Sequence, residues 1–128
     1  MADTFLVPQG VRSSGPDGIG YAAGAGGSVT QITSKATGAT LNKICGQVTT
    51  HNASLAAATI VSFVLTNTTI AATDVLILNH VSGGTPGSYT LNARCGAGSA
   101  TIDIRNNTAG ALAEAVVISF AVIKAVTT

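Results

Sequence analysis

Short runs of residues with high strand propensity, separated by clusters of glycine, asparagine and proline, recur along most of the chain. The clearest run alternates apolar and polar residues, with Ile102 and Ile104 on one face and Asp103 and Arg105 on the other. Such alternation, interrupted by regular turn signals, is typical of antiparallel sandwiches and barrels. The runs cover residues 29–33, 40–50, 59–66, 74–81, 89–95, 100–106 and 116–126. The sequence therefore predicts an all-β fold, an antiparallel β-sandwich or barrel of about seven strands.

Three of these runs, at residues 59–66, 74–81 and 116–126, are apolar nearly throughout instead of alternating. Continuous apolar runs are typical of strands that are covered on both faces. In the last run one face would carry Val116, Ile118, Phe120 and Val122, and the other would carry Val117, Ala121 and Ile123. We therefore expect the last strand to be central in its sheet or covered by an interface. Within the run at 40–50, Gly46 suggests a β-bulge.

The first 28 residues differ from the rest of the chain. They hold seven of the 15 glycines and two of the three prolines, and they show no sustained periodicity. An apolar cluster, Phe5-Leu6-Val7, lies near the start, and a glycine-rich stretch covers residues 18–27. Such a segment cannot bury enough apolar surface alone to offset the entropy lost on ordering. We predict an extended N-terminal arm at residues 1–28, ordered only on a partner, and a β-sandwich domain at residues 29–128.

Charge is scarce in this chain. Only 9% of the residues are charged, against about 25% in a typical soluble domain, and the formal net charge is +1. Hydrophobic residues make up 46%, although aromatic residues make up only 4%. This composition argues against nucleic acid as a partner and favours a chain whose apolar surface is buried between subunits. The longest apolar runs are too short to span a bilayer, so no membrane association is expected.

Residues that could carry chemistry are few and scattered. The chain has two histidines, His51 and His80, five carboxylates and none of the short metal-binding or nucleophile motifs. We therefore predict no enzymatic activity, no catalytic or metal-binding residues, no cofactor and no small-molecule substrate. Cys45 and Cys95 are interpreted as buried small apolar residues or as a bridged pair, and both alternatives stay open. The Asn-x-Ser/Thr sequences at Asn52, Asn67 and Asn106 are interpreted as products of a chain rich in threonine and asparagine.

Several segments of the sequence resemble segments of small structural proteins of tailed bacteriophages. The resemblance covers roughly residues 20–124 and leaves residues 1–19 outside. The segments on which the resemblance rests are residues 20–31, 33–35, 40–43, 65–67, 72–75 and 114–124. Related modules belong to different parts of the virion, namely capsid decoration (cement) proteins, head fibres and pieces of tail fibres. The family brings no catalytic residues.

The resemblance implies a location in the virion, after synthesis in the cytoplasm of the host bacterium, where thiols stay reduced. Among these virion roles, a decoration protein is favoured by three features: the chain is short and starts without a secretory signal, it has no shaft sequence, and it carries a flexible arm. Such a protein binds the major capsid protein on the outer surface of the head as a homotrimer and stabilises the shell. We predict contacts to the capsid or to an adjacent subunit at Phe5, Leu6, Val7 and Tyr21.

Two alternatives remain. One is a head-fibre or tail-fibre component involved in host attachment. The other is a lectin-like binding module, for which Tyr21 and Tyr89 are the candidate residues for stacking on a sugar.

Overall fold

A computed structural model of the chain describes residues 7–128 and shows an all-β fold in this range. Two four-stranded sheets pack as a β-sandwich, which confirms the predicted fold class. The eight strands are β1 (Gly26–Thr30), β2 (Ala39–Thr40), β3 (Cys45–Thr49), β4 (Ile60–Thr66), β5 (Val75–Ser82), β6 (Tyr89–Gly96), β7 (Ser99–Asn106) and β8 (Val117–Ile123). No helix in the described range is long and apolar enough to span a membrane.

The two sheets have matching layouts. Sheet A has the order β1-β3-β8-β5 and sheet B has the order β2-β4-β7-β6. Both are mixed, because β1 pairs with β3, and β2 with β4, in parallel. The other pairs are antiparallel, as the sequence predicts for the whole sandwich. The parallel edges arise because β1 to β4 alternate between the sheets, so the chain crosses the opposite sheet before it returns in the same direction.

The core lies between the two sheets and is built from aliphatic side chains and two phenylalanines. Its fully buried members come from both layers, including Val48 and Ile118 of sheet A and Phe63, Ile102 and Ile104 of sheet B. In β8, the side chains of Ile118, Phe120 and Val122, which share one face, are all buried. β8 lies between β3 and β5, which agrees with the central position expected for the last strand.

β4 and β5 were predicted to be covered on both faces, and in the described chain each is covered on one face only. Their outward side chains are about half exposed, as at Val64 (45%) and Ile77 (48%). Each strand belongs to one sheet of a two-layer sandwich, so only its inward face meets the other sheet. Nothing from the described chain packs over the outward side chains. The apolar runs therefore predict the strands correctly, but the expected cover is present on the inward face only.

Gly46 was suggested as the site of a β-bulge, but the structure gives it a different role. It pairs with Phe120 in an uninterrupted β3–β8 ladder. A Cβ atom at Gly46 would collide with the carbonyl oxygen of Gly27 in β1. The glycine is therefore required by the close approach of the edge strand, not by a bulge. The register shift that the structure does contain lies in β5, between His80 and Ser82.

Residues 7–24 are exposed and contain no strand. β1 begins at Gly26, so the last three residues of the predicted arm belong to sheet A. Phe5 and Leu6 lie outside the described residues. The division into arm and domain stays a prediction.

Candidate interaction surface

The outward side of sheet A is a flat surface without charged side chains. We call it the sheet A face and define it by the outward residues of β3, β8 and β5. The strands of sheet A contain no Asp, Glu, Lys or Arg. The face carries half-exposed aliphatic side chains at Val75, Ile77 and Ile123. Uncovered apolar surfaces are common at sites that bind other molecules, so this face is the candidate interaction surface.

The ladder registers arrange the sheet A face in rows across the strands. The apolar row consists of Ile77, Ala121 and Cys45. The amide row consists of Asn79, Ser119 and Gln47, with the Gln47 amide nitrogen 3.4 Å from the Ser119 hydroxyl. The third row, which we call the mixed row, consists of Ser82, Val117 and Thr49. The face therefore changes along the strands, from aliphatic at one end to hydroxyl groups mixed with aliphatic side chains, including the half-exposed Val81, at the other.

The outward side of sheet B differs because it carries charges. Asp103 lies at its centre and accepts hydrogen bonds from Ser62 at 2.6 Å, from Asn92 at 3.2 Å and from both terminal nitrogens of Arg94. Arg94, Ser62 and Asn92 together lower the pKa of Asp103 to about 2. A charged and fully hydrogen-bonded network keeps this side hydrated, so the two outer sides of the sandwich have different character.

Of the four residues predicted to contact a capsid or subunit, Val7 and Tyr21 lie within the described residues. Both are exposed. The Tyr21 hydroxyl donates a hydrogen bond to the carbonyl oxygen of Val122 in β8. The neighbouring amide of Val122 donates to Ile44, just before β3 begins. Val122 lies just beyond the last β3–β8 pair, Cys45 with Ala121, and Tyr21 supplies the donor for its carbonyl oxygen there. This bond attaches the end of the exposed segment to sheet A.

The loop between β5 and β6 is held in place by Glu114. This carboxylate accepts hydrogen bonds from the Thr85 amide at 2.6 Å, from the Tyr89 hydroxyl at 2.8 Å and from the Thr85 hydroxyl at 3.1 Å. The bond from Tyr89 is the main cause of the lowered pKa of Glu114, whereas burial raises the pKa of Tyr89. The Tyr89 hydroxyl, considered above for sugar binding, is therefore already bonded within the chain.

An open pocket of about 320 Å³ lies beside this loop. His80 contributes to its wall, with Nε2 2.6 Å from the Gly83 carbonyl oxygen and its ring edge-on to Tyr89. Gly83 has a φ of 67°, and a Cβ there would lie 2.8 Å from the Ala115 carbonyl oxygen. The loop therefore needs glycine at this position, and its shape is set by packing against residues 114–116.

Lys35 is a buried cation that the composition and motif arguments did not single out. It is only 3% exposed, and its ammonium donates to the carbonyl oxygens of His51 and Glu114. Burial lowers the pKa of Lys35. Gln31 completes the cluster, since it donates to the Lys35 carbonyl oxygen and accepts from the His51 amide, both at 2.9 Å. These bonds join three distant chain segments, which indicates a structural role.

The cysteines do not pair. Cys45 and Cys95 are free and partly buried, and burial raises the pKa of the Cys95 thiol. Within residues 7–128 no group of three or more His, Cys, Asp or Glu side chains could hold a metal ion.

Comparison with known proteins identifies no relative of this chain. No family model, no curated protein and no solved structure matches the chain. The fold and its surfaces define an all-β sandwich of two mixed sheets with one charge-free outer face.

Proposed function

We propose that the chain is a non-enzymatic structural protein of a tailed-phage virion, a decoration (cement) protein that binds the outer surface of the head and stabilises it. The observation that carries this proposal is the sheet A face, an uncharged and half-exposed apolar surface on a small domain. A subunit of an assembly covers such a surface against its neighbours, and the charges that would oppose this association are absent from the strands of sheet A. The resemblance of residues 20–124 to phage structural proteins supports the same class.

The attachment we propose runs through the N-terminal residues. Phe5, Leu6 and Val7 would bind an apolar groove of the major capsid protein, and the exposed residues 7–24 would provide the reach. Tyr21 holds the base of this segment on β8. Three copies would form a homotrimer over a junction of capsid subunits. The proposed partners are the capsid protein and further copies of the chain, with no nucleic acid, membrane, cofactor or small-molecule substrate.

The test is binding of the purified protein to undecorated heads of the phage that carries the gene. We expect saturable co-sedimentation at a fixed ratio of protein to capsid subunits. We also expect the decorated heads to release DNA at a higher temperature than undecorated heads. Bovine serum albumin serves as the control for trapping in the pellet. No binding to heads, combined with saturable binding to host cells, would replace this proposal with the fibre function.

A further inference from the structure

We propose that the sheet A face is the surface through which copies of this chain pack together, around a symmetry axis that runs along the strands of sheet A. The inference names the interface of the homotrimer proposed above and rests on that proposal, but it does not depend on attachment to a capsid.

The first argument is the uneven distribution of charge. Sheet B carries Arg94, Asp103 and Arg105, while the strands of sheet A carry no charged residue. Exposed sheets usually carry charges that discourage unwanted association. With strands about 4.8 Å apart and about 3.3 Å per residue, sheet A covers roughly 400 Å² in projection. A charge-free area of this size is within the range of functional patches on proteins.

The second argument concerns which partner fits. A charged partner would lose hydration against the sheet A face without gaining an ionic contact. A second copy brings only uncharged groups, namely aliphatic side chains, amides, hydroxyls and the Cys45 thiol. The amides of Asn79 and Gln47 and the hydroxyl of Ser119 each both donate and accept hydrogen bonds, so identical amide rows can satisfy one another.

The third argument fixes the direction of the axis. An axis along the strands keeps every row at its own level, so the apolar row meets apolar rows and the amide row meets amide rows. A two-fold axis that lies in the plane of the interface, perpendicular to the strands and level with the amide row, would place Ile77 and Ala121 over the mixed row, which contains Ser82 and Thr49. That arrangement would bury hydroxyl groups against aliphatic side chains, at a cost in free energy.

A charge on the sheet A face tests the interface. Ile77→Lys and Val64→Lys are matched, because both residues lie in strands, face outward and are about half exposed (48% and 45%). By light scattering we expect the wild type and Val64→Lys to be trimers and Ile77→Lys to be a monomer. The dissociation constant of Ile77→Lys should rise about 100-fold or more, since a buried unpaired charge is costly. Circular dichroism verifies that both variants are folded.

Cross-linking tests the direction of the axis in a chain that keeps its trimer. Ala121 and Thr101 lie on central strands of sheets A and B, respectively, and both are partly buried on the outward side. In a Cys45→Ala, Cys95→Ala background, a short bis-maleimide should join Ala121→Cys to itself between subunits and leave Thr101→Cys uncross-linked. Ala121 lies in the apolar row, away from the amide row, so only an axis along the strands brings its copies together. Equal cross-linking of the two variants, or of neither, would overturn the inference.

The outcomes separate this inference from the proposed function. If Ile77→Lys stays a trimer and loses binding to phage heads, the sheet A face binds the capsid, and the inference is wrong while the decoration function stands. If Ile77→Lys becomes a monomer and the wild-type trimer does not bind heads, the interface stands and the decoration function fails.

Discussion

At the scale of single residues, two buried asparagines explain sequence motifs that first suggest glycosylation. Asn67 and Asn106 are fully buried at the ends of β4 and β7. Each side-chain carbonyl accepts bonds from the amide and hydroxyl of the threonine two residues later. Each side-chain NH₂ donates to a main-chain carbonyl of a distant segment. The Asn-x-Thr spacing is therefore a turn motif that closes a strand, and its amide nitrogen is inaccessible.

We expect Asn106→Ala to lower the free energy of unfolding by at least about 2 kcal/mol, because it removes the bonds donated to the carbonyls of Leu55 and Gly110 and leaves the amide of Thr108 without a partner. Asn107→Ala is the matched control, since Asn107 is exposed. It should change the free energy by less than about 0.5 kcal/mol. Urea unfolding of both variants measures the difference. Equal effects would contradict the structural role of Asn106.

The lowered pKa of Asp103 implies that the stability of the fold decreases at low pH. This pKa is lowered from 3.8 to about 2, mainly by Arg94. A carboxyl whose pKa is lower in the folded state stabilises the fold above the unfolded pKa, and this contribution is lost as the pH falls from about 4 to about 2. We expect Asp103→Asn to unfold with a weaker pH dependence than the wild type over this range, as measured by urea midpoints. Asp17→Asn, in the exposed segment, should follow the wild-type curve, and an identical curve for Asp103→Asn would refute the prediction.

At the scale of elements, β8 is the strand on which sheet A is built. It pairs with β3 on one side and β5 on the other, and it places Ile118 and Phe120 in the core. The strand lacks charged residues on both faces, because one face meets sheet B and the other forms the centre of the sheet A face. Its composition therefore reflects two different surroundings.

We expect Phe120→Ala to cost about 3–5 kcal/mol of unfolding free energy, the usual result of removing a buried aromatic side chain. Val64→Ala removes atoms from a half-exposed side chain on the outward side of sheet B and should cost less than about 1 kcal/mol. Chemical denaturation at one protein concentration compares the two. A loss below about 1 kcal/mol for Phe120→Ala would place this side chain outside the core.

At the scale of the whole molecule, the structure changes where the arm should be cut. A chain that began at Val29 would lose three of the five residues of β1 and the Tyr21 bond to β8. A chain that begins at Gly20 keeps both and removes only residues 1–19. We expect this truncated chain to keep its fold and its oligomeric state and to lose most of its affinity for phage heads, because Phe5, Leu6 and Val7 are gone.

Co-sedimentation with undecorated heads measures the affinity, and light scattering measures the oligomeric state. A chain that lacks the exposed residues 126–128 at the other terminus is the control and should bind as the full chain does. Unchanged binding of the chain that begins at Gly20 would move the attachment surface from the arm to the sandwich.

The sequence by itself determined the all-β class and the position of most strands, because alternation and turn residues are local signals. The run at residues 100–106 covers all but the first residue of β7, and the run at residues 116–126 contains β8. It also determined the scarcity of charge, from which an assembly partner was inferred. The strands can be read within windows of about ten residues, and the scarcity of charge follows from composition alone, so neither requires knowledge of the packing.

Only the tertiary structure decided which strands pair and what each face meets. The parallel pairing of β1 with β3, the contact of Gly46 with Gly27 and the burial of Lys35 all join segments that are distant in sequence. The gathering of Ile77, Ala121 and Cys45 in one uncharged row is decided in the same way, by ladder registers between three strands. A local pattern carries no information on such registers, because they depend on how the two sheets pack as a whole.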